Sequence, residues 1–264
     1  MTLPNFICIG AQRAGTTWLH DCLNEHPEVY VPEKKELHFF NSNYSKGIEH
    51  YATEFERSNP GHRAIGEVTP NYYHDIDALK RIKDTIPDAK IVFIIREPVA
   101  RSYSHYQLLS TTRCKGLSFQ EAMAQVPIIS ELSLQGKYIK NVLSIFPKNQ
   151  VLICLYDDLE QKPHDFFKNI LCFLGVNEYF TPSVLNERVN RIIFPNLQNA
   201  MDKIGLKFVI EMIKKTPIGA LIKKKYNESG RKSVSLNQKA YKNVFSSDVT
   251  LIEELTGFNL ENWR

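Results

Sequence analysis

Hydrophobic positions along the chain form short continuous blocks separated by amphipathic stretches. The blocks are rich in Ile and Val and occupy Phe6–Ile9, Ala64–Val68, Ile91–Ile95 and Val151–Leu155. Continuous apolar character is typical of strands that are buried on both faces, as in a parallel sheet covered by helices. We therefore predict four parallel strands, of which Ala64–Val68 has the weakest signal.

Amphipathic stretches lie between these strands and predict helices. The predicted helices cover Thr16–His26, Ile76–Ile86, Val99–Thr111, Phe119–Gln125, Leu132–Phe146 and His164–Leu174. Alternation of strand and helix predicts the α/β class, with a P-loop-type central parallel β-sheet flanked by helices. We expect a single domain over 1–264, with a core at 1–185 and a helical, basic C-terminal extension at 186–264. A last helix is predicted near Ser247–Leu255.

Composition and charge set loose limits on function. The 264 residues are 43% hydrophobic, which is enough for a full core. The net charge of +4 is too small to indicate a nucleic-acid partner, although it favours anionic ligands. The segment Met201–Lys232 is strongly basic, with nine Lys or Arg against three acidic residues. A solvated basic face is the simplest interpretation, and a peripheral contact with an acidic substrate or a membrane surface is the alternative.

The N-terminal residues and the cysteines indicate the cellular compartment of the protein. No basic stretch, long apolar run and cleavage site precede the first strand, and no run reaches the roughly eighteen apolar residues of a membrane span. The five cysteines have no CxxC spacing, so we interpret them as reduced thiols rather than zinc ligands or disulfides. These features predict a cytoplasmic protein.

A glycine-containing loop follows the first predicted strand and precedes the first predicted helix. It reads Gly10-Ala11-Gln12-Arg13-Ala14-Gly15-Thr16-Thr17. Glycines let backbone N–H groups converge on an anion, and the helix N-terminus adds partial positive charge, so this context predicts a phosphate site. The loop of ATPases and GTPases ends in Gly-Lys-Ser/Thr, whereas Gly15 is followed here by two threonines. A P-loop kinase is therefore a disfavoured alternative.

Positive charge occurs where an ATPase places an acid for magnesium. Arg13 lies within the loop, and the strand Ile91–Ile95 is followed by Arg96. Cations at two strand ends suit a nucleotide with phosphates at two separate positions better than ATP-Mg. Asp157-Asp158 after the last strand is an acidic strand end and leaves a metal site as an alternative, although we expect no metal. An ion pair with Glu97 or Glu67 is the alternative role of Arg96.

Two motifs resemble those of the sulfotransferase family, which uses 3′-phosphoadenosine 5′-phosphosulfate (PAPS) and releases adenosine 3′,5′-bisphosphate (PAP). Arg13-x-Gly15-Thr16-Thr17-x-Leu19 is similar to the 5′-phosphosulfate loop of that family. Arg96–Tyr106 is similar to its 3′-phosphate motif, in which an arginine and a serine eight positions later bind the 3′-phosphate. The resemblance implies these donor contacts: Arg13, Ala14, Gly15, Thr16, Thr17, Trp18, Arg96 and Ser104.

A third segment resembles the catalytic stretch of the heparan-sulfate and bacterial carbohydrate branch. Lys35-Glu36-Leu37-His38-Phe39-Phe40 matches Glu-x-x-Phe-Phe, in which the glutamate is the general base. His38 is the competing base because an imidazole titrates nearer neutral pH, and in an extended segment both side chains would point the same way. An ion pair of Glu36 with Lys34 or Lys35 is the non-catalytic alternative. Arg13 is expected to stabilise charge on the departing 5′-phosphate.

A fourth segment departs from the pattern of this branch. Glu67-Val68-Thr69-Pro70-Asn71-Tyr72 resembles Glu-Lys-Thr-Pro-x-Tyr, but Val68 replaces the lysine. The cation of that position must be absent or supplied from elsewhere. Gly136-x-Tyr138 before an amphipathic helix also follows the family order. The candidate acceptor contacts are Glu67, Tyr72 and Tyr138.

The resemblance covers roughly residues 5–175 and implies transfer of a sulfonate to a hydroxyl on a carbohydrate or glycolipid. The alternatives are a small-molecule hydroxyl or amine, a P-loop kinase, and a nucleotide-binding protein without catalysis. The C-terminal family feature, a leucine followed by a tryptophan, is weakly matched by Leu255 and Trp263. A loop over the adenine is expected near Arg188, Asn190 and Arg191.

Overall fold

A computed structural model describes residues 1–186 and 238–264 of the chain. Its strands are β1 (Phe6–Gly10), β2 (Val29–Tyr30), β3 (Ala64–Val68), β4 (Lys90–Ile95) and β5 (Val151–Leu155). All neighbouring strands run parallel in the order β2-β3-β1-β4-β5. The predicted α/β class is confirmed, and each of the four predicted strands is present. The two-residue strand β2 is too short to produce a hydrophobic pattern.

Helices cover both the predicted stretches and shorter ones that the pattern did not reveal. They are α1 (Thr16–Asn24), α2 (Ile48–Thr53), α3 (Ile76–Thr85), α4 (Pro98–Leu109), α5 (Phe119–Gln125), α6 (Ile128–Glu131), α7 (Gln135–Ile145), α8 (Tyr156–Gln161), α9 (Pro163–Leu174) and the C-terminal helix (Gln238–Thr256). α8 begins directly after β5 with polar residues, which is why the sequence indicated only a strand end there.

Local capping groups explain where several helices begin and end. Asp75 accepts hydrogen bonds from the first backbone N–H groups of α3, and Glu97 does the same for α4. Ser118 and Glu121 form a reciprocal capping box at the start of α5. Each arrangement satisfies backbone donors that a helix start leaves without partners. These short-range contacts fix the helix boundaries.

The central strand β1 determines where a ligand can bind. All five of its residues are buried. The chain forms β3 on one side of β1 and then β4 on the other, so the direction of strand succession reverses at β1. In open parallel sheets, ligands bind beyond the carboxyl ends of the strands at such a point. The glycine loop, the end of β3 and Arg96 after β4 all lie at this edge.

The C-terminal helix belongs to the packed core and is longer than predicted. It begins at Gln238 rather than near Ser247 and contacts α4 and α7. A Cβ atom at Gly136 would lie 2.7 Å from the carbonyl oxygen of Asp248, so this position requires glycine. The carboxylate of Asp248 accepts hydrogen bonds from the backbone N–H groups of Gly136 at 2.8 Å and Lys137 at 3.0 Å. The helix therefore caps the start of α7.

The last residues bind back to the end of β5. Trp263 is buried, and its Nε1 donates to Asp157 Oδ2 at 2.9 Å, while Asn262 Nδ2 donates to the same oxygen at 3.1 Å. Asp157 is therefore part of a tail contact. Within residues 1–186 and 238–264, no cluster of three or more His, Cys, Asp or Glu could hold a metal ion. In the same ranges, no helix has the length and apolar character to cross a membrane.

Removal of the Asp248 carboxylate tests the contribution of the C-terminal helix. We expect Asp248→Ala to lower the free energy of unfolding by about 1–3 kcal/mol, because two buried backbone donors lose their acceptor. Urea denaturation of both proteins measures this difference. Glu254→Ala, at an exposed carboxylate on the same helix, is the control and should change the value by less than about 0.5 kcal/mol. Equal effects of the two substitutions would contradict the capping role.

Candidate active site

The glycine loop leaves the first turn of α1 open to an anion. Gly15 precedes α1 with a φ of 84°, and a Cβ atom there would lie 2.6 Å from Leu159 Cδ2, so the position requires glycine. It also lacks a side chain that could cap the helix, and the first turn contains no acidic residue. Backbone N–H groups at such a helix start attract phosphate. The loop is held to β4 by the Ala11 N–H, which donates to the Ile94 carbonyl at 2.7 Å.

Three arginines hold the loop and join the two donor motifs. Arg13 Nε donates to Ser104 Oγ at 3.0 Å. Arg96 Nη1 donates to the Arg13 carbonyl at 2.8 Å, and Arg101 Nε donates to the Gln12 carbonyl at 3.2 Å. Two residues 91 positions apart, Arg13 and Ser104, are therefore in direct contact. We call Arg13, Arg96 and Arg101 the arginine cluster.

Within residues 1–186 and 238–264, no carboxylate compensates the charge of the arginine cluster. None of its members forms an ion pair with a carboxylate in the described part of the chain. Glu97 accepts hydrogen bonds from the N-terminal N–H groups of α4, so the alternative Arg96–Glu97 ion pair is wrong. Arg96 lies over the Tyr156 ring, 4.3 Å from its centroid. Among the described residues, the positive charge of the cluster therefore has no carboxylate counterion.

Electrostatic effects on neighbouring groups agree with this excess of positive charge. Burial, followed by the charges of Arg96 and Arg101, lowers the pKa of the Arg13 guanidinium. Burial, followed by the charges of Arg101 and Arg13, lowers the pKa of His105 to about 4. Like charges that destabilise one another at close range favour a bound anion. The site is therefore suited to a ligand with several negative charges.

The two candidate bases lie within ion-pair distance of each other. Glu36 Oε2 lies 3.1 Å from His38 Nε2, and Asn41 Nδ2 lies 3.5 Å from His38 Nδ1. The segment is not extended at His38, which has a left-handed φ of 53° and is followed by a π-helical turn over Phe39–Asn43. Their proximity therefore comes from the turn rather than from strand alternation. Both side chains are partly exposed, so they can reach a substrate.

The donor loop and the candidate catalytic segment each contain a residue with a strained backbone. Among the described non-glycine residues, Arg13 with a φ of 72° and His38 with a φ of 53° have left-handed backbone conformations. This conformation is unfavourable for residues with a Cβ atom and occurs preferentially at functional sites. One strained residue lies in the donor loop and the other in the candidate catalytic segment.

The buried carboxyl group of Glu67 forms hydrogen bonds with residues that contact the candidate catalytic segment. Glu67 is 1% exposed and accepts hydrogen bonds from Tyr51 Oη at 2.5 Å and Thr69 Oγ1 at 2.6 Å. Tyr72 Oη lies 3.3 Å from the same carboxylate and accepts a hydrogen bond from the Phe40 N–H at 3.2 Å. Burial raises the pKa of Glu67 to about 7, although these hydrogen bonds lower it. Glu67 and Tyr72 therefore position the turn after His38.

The family of the chain follows from a comparison with known domains. The sulfotransferase domain model matches residues 3–225, most of the chain. The chain belongs to the sulfotransferase domain family. The resemblance inferred from the loop and the Arg96–Tyr106 motif is confirmed.

Several curated sulfotransferases are similar to parts of this sulfotransferase-family chain. Membrane-associated sulfotransferase kil1 of Dictyostelium discoideum is 43% identical over 108 residues, 40% of this chain and 23% of that protein. Bifunctional heparan sulfate N-deacetylase/N-sulfotransferase 4 of Mus musculus is 33% identical over 202 residues, which cover 69% of this chain and 23% of that protein. Heparan sulfate glucosamine 3-O-sulfotransferase 3B1 of Mus musculus is 29% identical over 188 residues, which cover 68% of this chain and 48% of that protein. The chain thus spans less than half the length of these relatives.

Solved structures share the fold. A sulfotransferase from Alicyclobacillus acidocaldarius aligns over 100% of both chains with a TM-score of 0.74 and 24% identity. The sulfotransferase domain from the curacin biosynthetic pathway aligns over 69% of this chain and 77% of that chain, with a TM-score of 0.52 and 19% identity. At these identities the likeness concerns the fold alone, which is a parallel sheet flanked by helices.

Some of the predicted contacts lie away from the exposed part of the site. The Trp18 side chain is buried, donates to the Leu185 carbonyl at 3.1 Å and packs against α9, so a role of this side chain in donor binding is not supported. Glu67, Tyr72 and Tyr138 are also buried, and the first two contact the turn after His38 rather than face an acceptor. The expected adenine loop, Arg188, Asn190 and Arg191, and the basic segment 201–232 lie outside the described residues.

Sequence reasoning missed Arg101 as a member of the site. It is fully buried and also donates to Ser133 Oγ at 2.9 Å. The buried positions of α4 include Pro98, Arg101, Ser102 and His105, a helical spacing that faces the core. An arginine at an inward position of a predicted helix was the available signal, because a buried cation is retained only where hydrogen bonds or an anion compensate it.

The pKa of Glu67 predicts how stability depends on pH. The folded protein holds the Glu67 proton up to about pH 7, whereas the unfolded chain releases it near 4.5, so folding is favoured at low pH. As pH rises through this window, the free energy of unfolding should fall by an amount on the order of 3 kcal/mol. We expect the free energy of unfolding of Glu67→Gln, measured by denaturation between about pH 4.5 and 7, to lack this fall. Glu33→Gln, at an exposed carboxylate, should retain it, and parallel curves for Glu67→Gln and wild type would contradict the assignment.

Proposed function

We propose that this chain transfers the sulfonate group of PAPS to a hydroxyl of a carbohydrate or glycolipid. The observation that carries the proposal is the arginine cluster, which holds the loop that leads into α1 and has no carboxylate partner in the described ranges. PAPS has anionic groups at its 5′ and 3′ positions, so it can engage cations at two neighbouring strand ends. A kinase is disfavoured because the loop has no lysine before its threonines.

The donor motifs suggest how the anionic groups are distributed. By resemblance, the loop with Arg13, Thr16 and Thr17 would bind the 5′-phosphosulfate, and Arg96 with Ser104 would bind the 3′-phosphate. The contacts of Arg13 with Ser104 and of Arg96 with the Arg13 carbonyl support this arrangement, because they bring the two half-sites side by side. Charge-assisted hydrogen bonds from guanidinium to phosphate are among the strong ones in proteins.

The partly exposed Glu36–His38 pair can supply the proton acceptor. In the transfer, the acceptor oxygen forms a bond to sulfur while the bond from sulfur to the 5′-phosphate oxygen breaks, and its electron pair stays on the phosphate. The acceptor proton passes to the Glu36 carboxylate, and His38 Nε2, 3.1 Å from Oε2, helps to orient this carboxylate. Arg13 and the N–H groups of α1 stabilise the charge that develops on the leaving phosphate.

The acceptor class is proposed from the named relatives. Two of them are heparan sulfate enzymes, one an N-sulfotransferase and the other a 3-O-sulfotransferase, and each matches over two thirds of this chain. A hydroxyl of an amino-sugar polysaccharide is therefore our first candidate, and the amine of the same sugar is the second. A screen with labelled PAPS against N-acetylated and de-N-acetylated heparosan, simple glycolipids and small phenols and amines distinguishes these acceptors.

Substitution of the proposed base tests the reaction. We expect Glu36→Gln to reduce turnover of labelled PAPS by roughly 10²–10⁴ fold, because general-base assistance contributes that much to rate. PAP affinity should remain within a few fold of wild type. Asn41→Ala, at the neighbouring His38 contact, is the control and should cost much less. Turnover of Glu36→Gln within a few fold of wild type, together with an inactive His38→Ala, would assign the base to His38 instead.

A further inference from the structure

Lys35 lies between the donor loop and the proposed base. Its Nζ is 3.3 Å from Thr17 Oγ1, in the first turn of α1, and 3.5 Å from Glu36 Oε1. The side chain is only 14% exposed. Few lysines are buried to this extent unless their charge has a function or a partner. Lys35 is therefore the cation that connects the two halves of the site.

Lys35 forms a long ion pair with Glu36, the alternative contact expected for Glu36, and its ammonium keeps donors for a further anion. Both distances exceed the common N–H···O range of about 2.7–3.2 Å, and an ammonium group has three donors. The preceding residue, Lys34, differs in both respects, because its side chain is 60% exposed and forms a 2.9 Å ion pair with Glu54. Two adjacent lysines thus point to different surroundings, and only Lys35 approaches the donor loop.

The strand position where the lysine of the Glu-Lys-Thr-Pro segment is missing lies beside a residue that senses the charge of Lys35. Val68 ends β3 and is the parallel register partner of Cys8 in β1. Burial raises the pKa of the Cys8 thiol to about 12, and the charges of Lys35 and Glu36 act on it as smaller, opposing effects. The Lys35 ammonium and position 68 therefore border the same end of the sheet, although they come from different segments.

We propose that the ammonium of Lys35 binds the donor sulfonate and stabilises the negative charge of the sulfonate oxygens during transfer. It supplies the cation that Val68 cannot. The ammonium remains protonated throughout, while the electron pair of the broken sulfur–oxygen bond stays on the phosphate. This role rests on the proposed sulfonate transfer, and it adds to Arg13 a second positive group on the side of the base.

The test compares single substitutions at the two adjacent lysines. We expect Lys35→Met to lower kcat with PAPS by about 10²-fold, as for removal of other groups that stabilise developing charge. Lys35→Gln, which keeps a hydrogen-bond donor but no charge, should lose nearly as much, whereas Lys35→Arg should retain most activity. Lys34→Met should stay within twofold of wild type. PAP affinity, which involves no sulfonate, should change less than threefold in every variant and also reports that the fold is intact.

A compensating substitution separates the chemical role from a structural one. Lys35→Met combined with Val68→Lys should recover at least tenfold of the lost kcat, because the cation returns from β3. An intact Lys35→Met protein with more than a third of wild-type kcat would overturn the role of Lys35. A loss of kcat that PAP affinity follows in parallel, or an intact double variant without recovery, would also contradict it. Absence of sulfonate transfer in the wild-type protein would instead contradict the proposed function itself, and the role of Lys35 with it.

Discussion

The hydrogen bond from Arg96 to the Arg13 carbonyl, together with the bond from Arg13 to Ser104, is the contact on which the site depends. It joins the loop after β1 to the strand end and helix that follow β4. The same contacts concentrate positive charge in a partly buried place, because Glu97 is used as a helix cap and Arg101 is enclosed by hydrogen-bond acceptors. Bringing like charges together is unfavourable by itself, so a multiply charged anion is the natural complement of this geometry.

The sheet topology and the aromatic core place the second half of the site against this cluster. Reversal of the strand order at β1 brings the ends of β1, β3 and β4 to one edge. Phe39 stacks on Tyr51 with centroids 4.2 Å apart, and Phe40 is held by Tyr72, so the turn that carries Glu36 and His38 is fixed from the protein interior. Glu67 occupies the centre of this support. Glu67, the residue before Val68, therefore stabilises the position of the segment that carries Glu36 and His38.

Much of this could be predicted from the sequence, because the informative features are local. The buried strands have continuous apolar runs, and the loop and the Arg96–Tyr106 motif have fixed spacings. Properties that arise from long-range packing were not predictable. The buried environments of Trp18 and Glu67 and the approach of Lys35 to Thr17 depend on how distant segments meet. The C-terminal helix was underestimated because polar residues interrupt the apolar ones in its first half and its packing partners, α4 and α7, are distant in the sequence.

The central claim is that the arginine cluster binds a nucleotide with phosphates at two positions, and ligand-dependent thermal stability tests it most directly. A ligand that binds only the folded state at a hundred times its Kd stabilises by about 2.7 kcal/mol. We predict that PAP raises the melting temperature of the wild-type protein and that ATP-Mg has little effect. Arg96→Ala should weaken PAP far more than adenosine 5′-phosphosulfate. Stabilisation by ATP-Mg without stabilisation by PAP, or equal weakening of both nucleotides in Arg96→Ala, would contradict the claim.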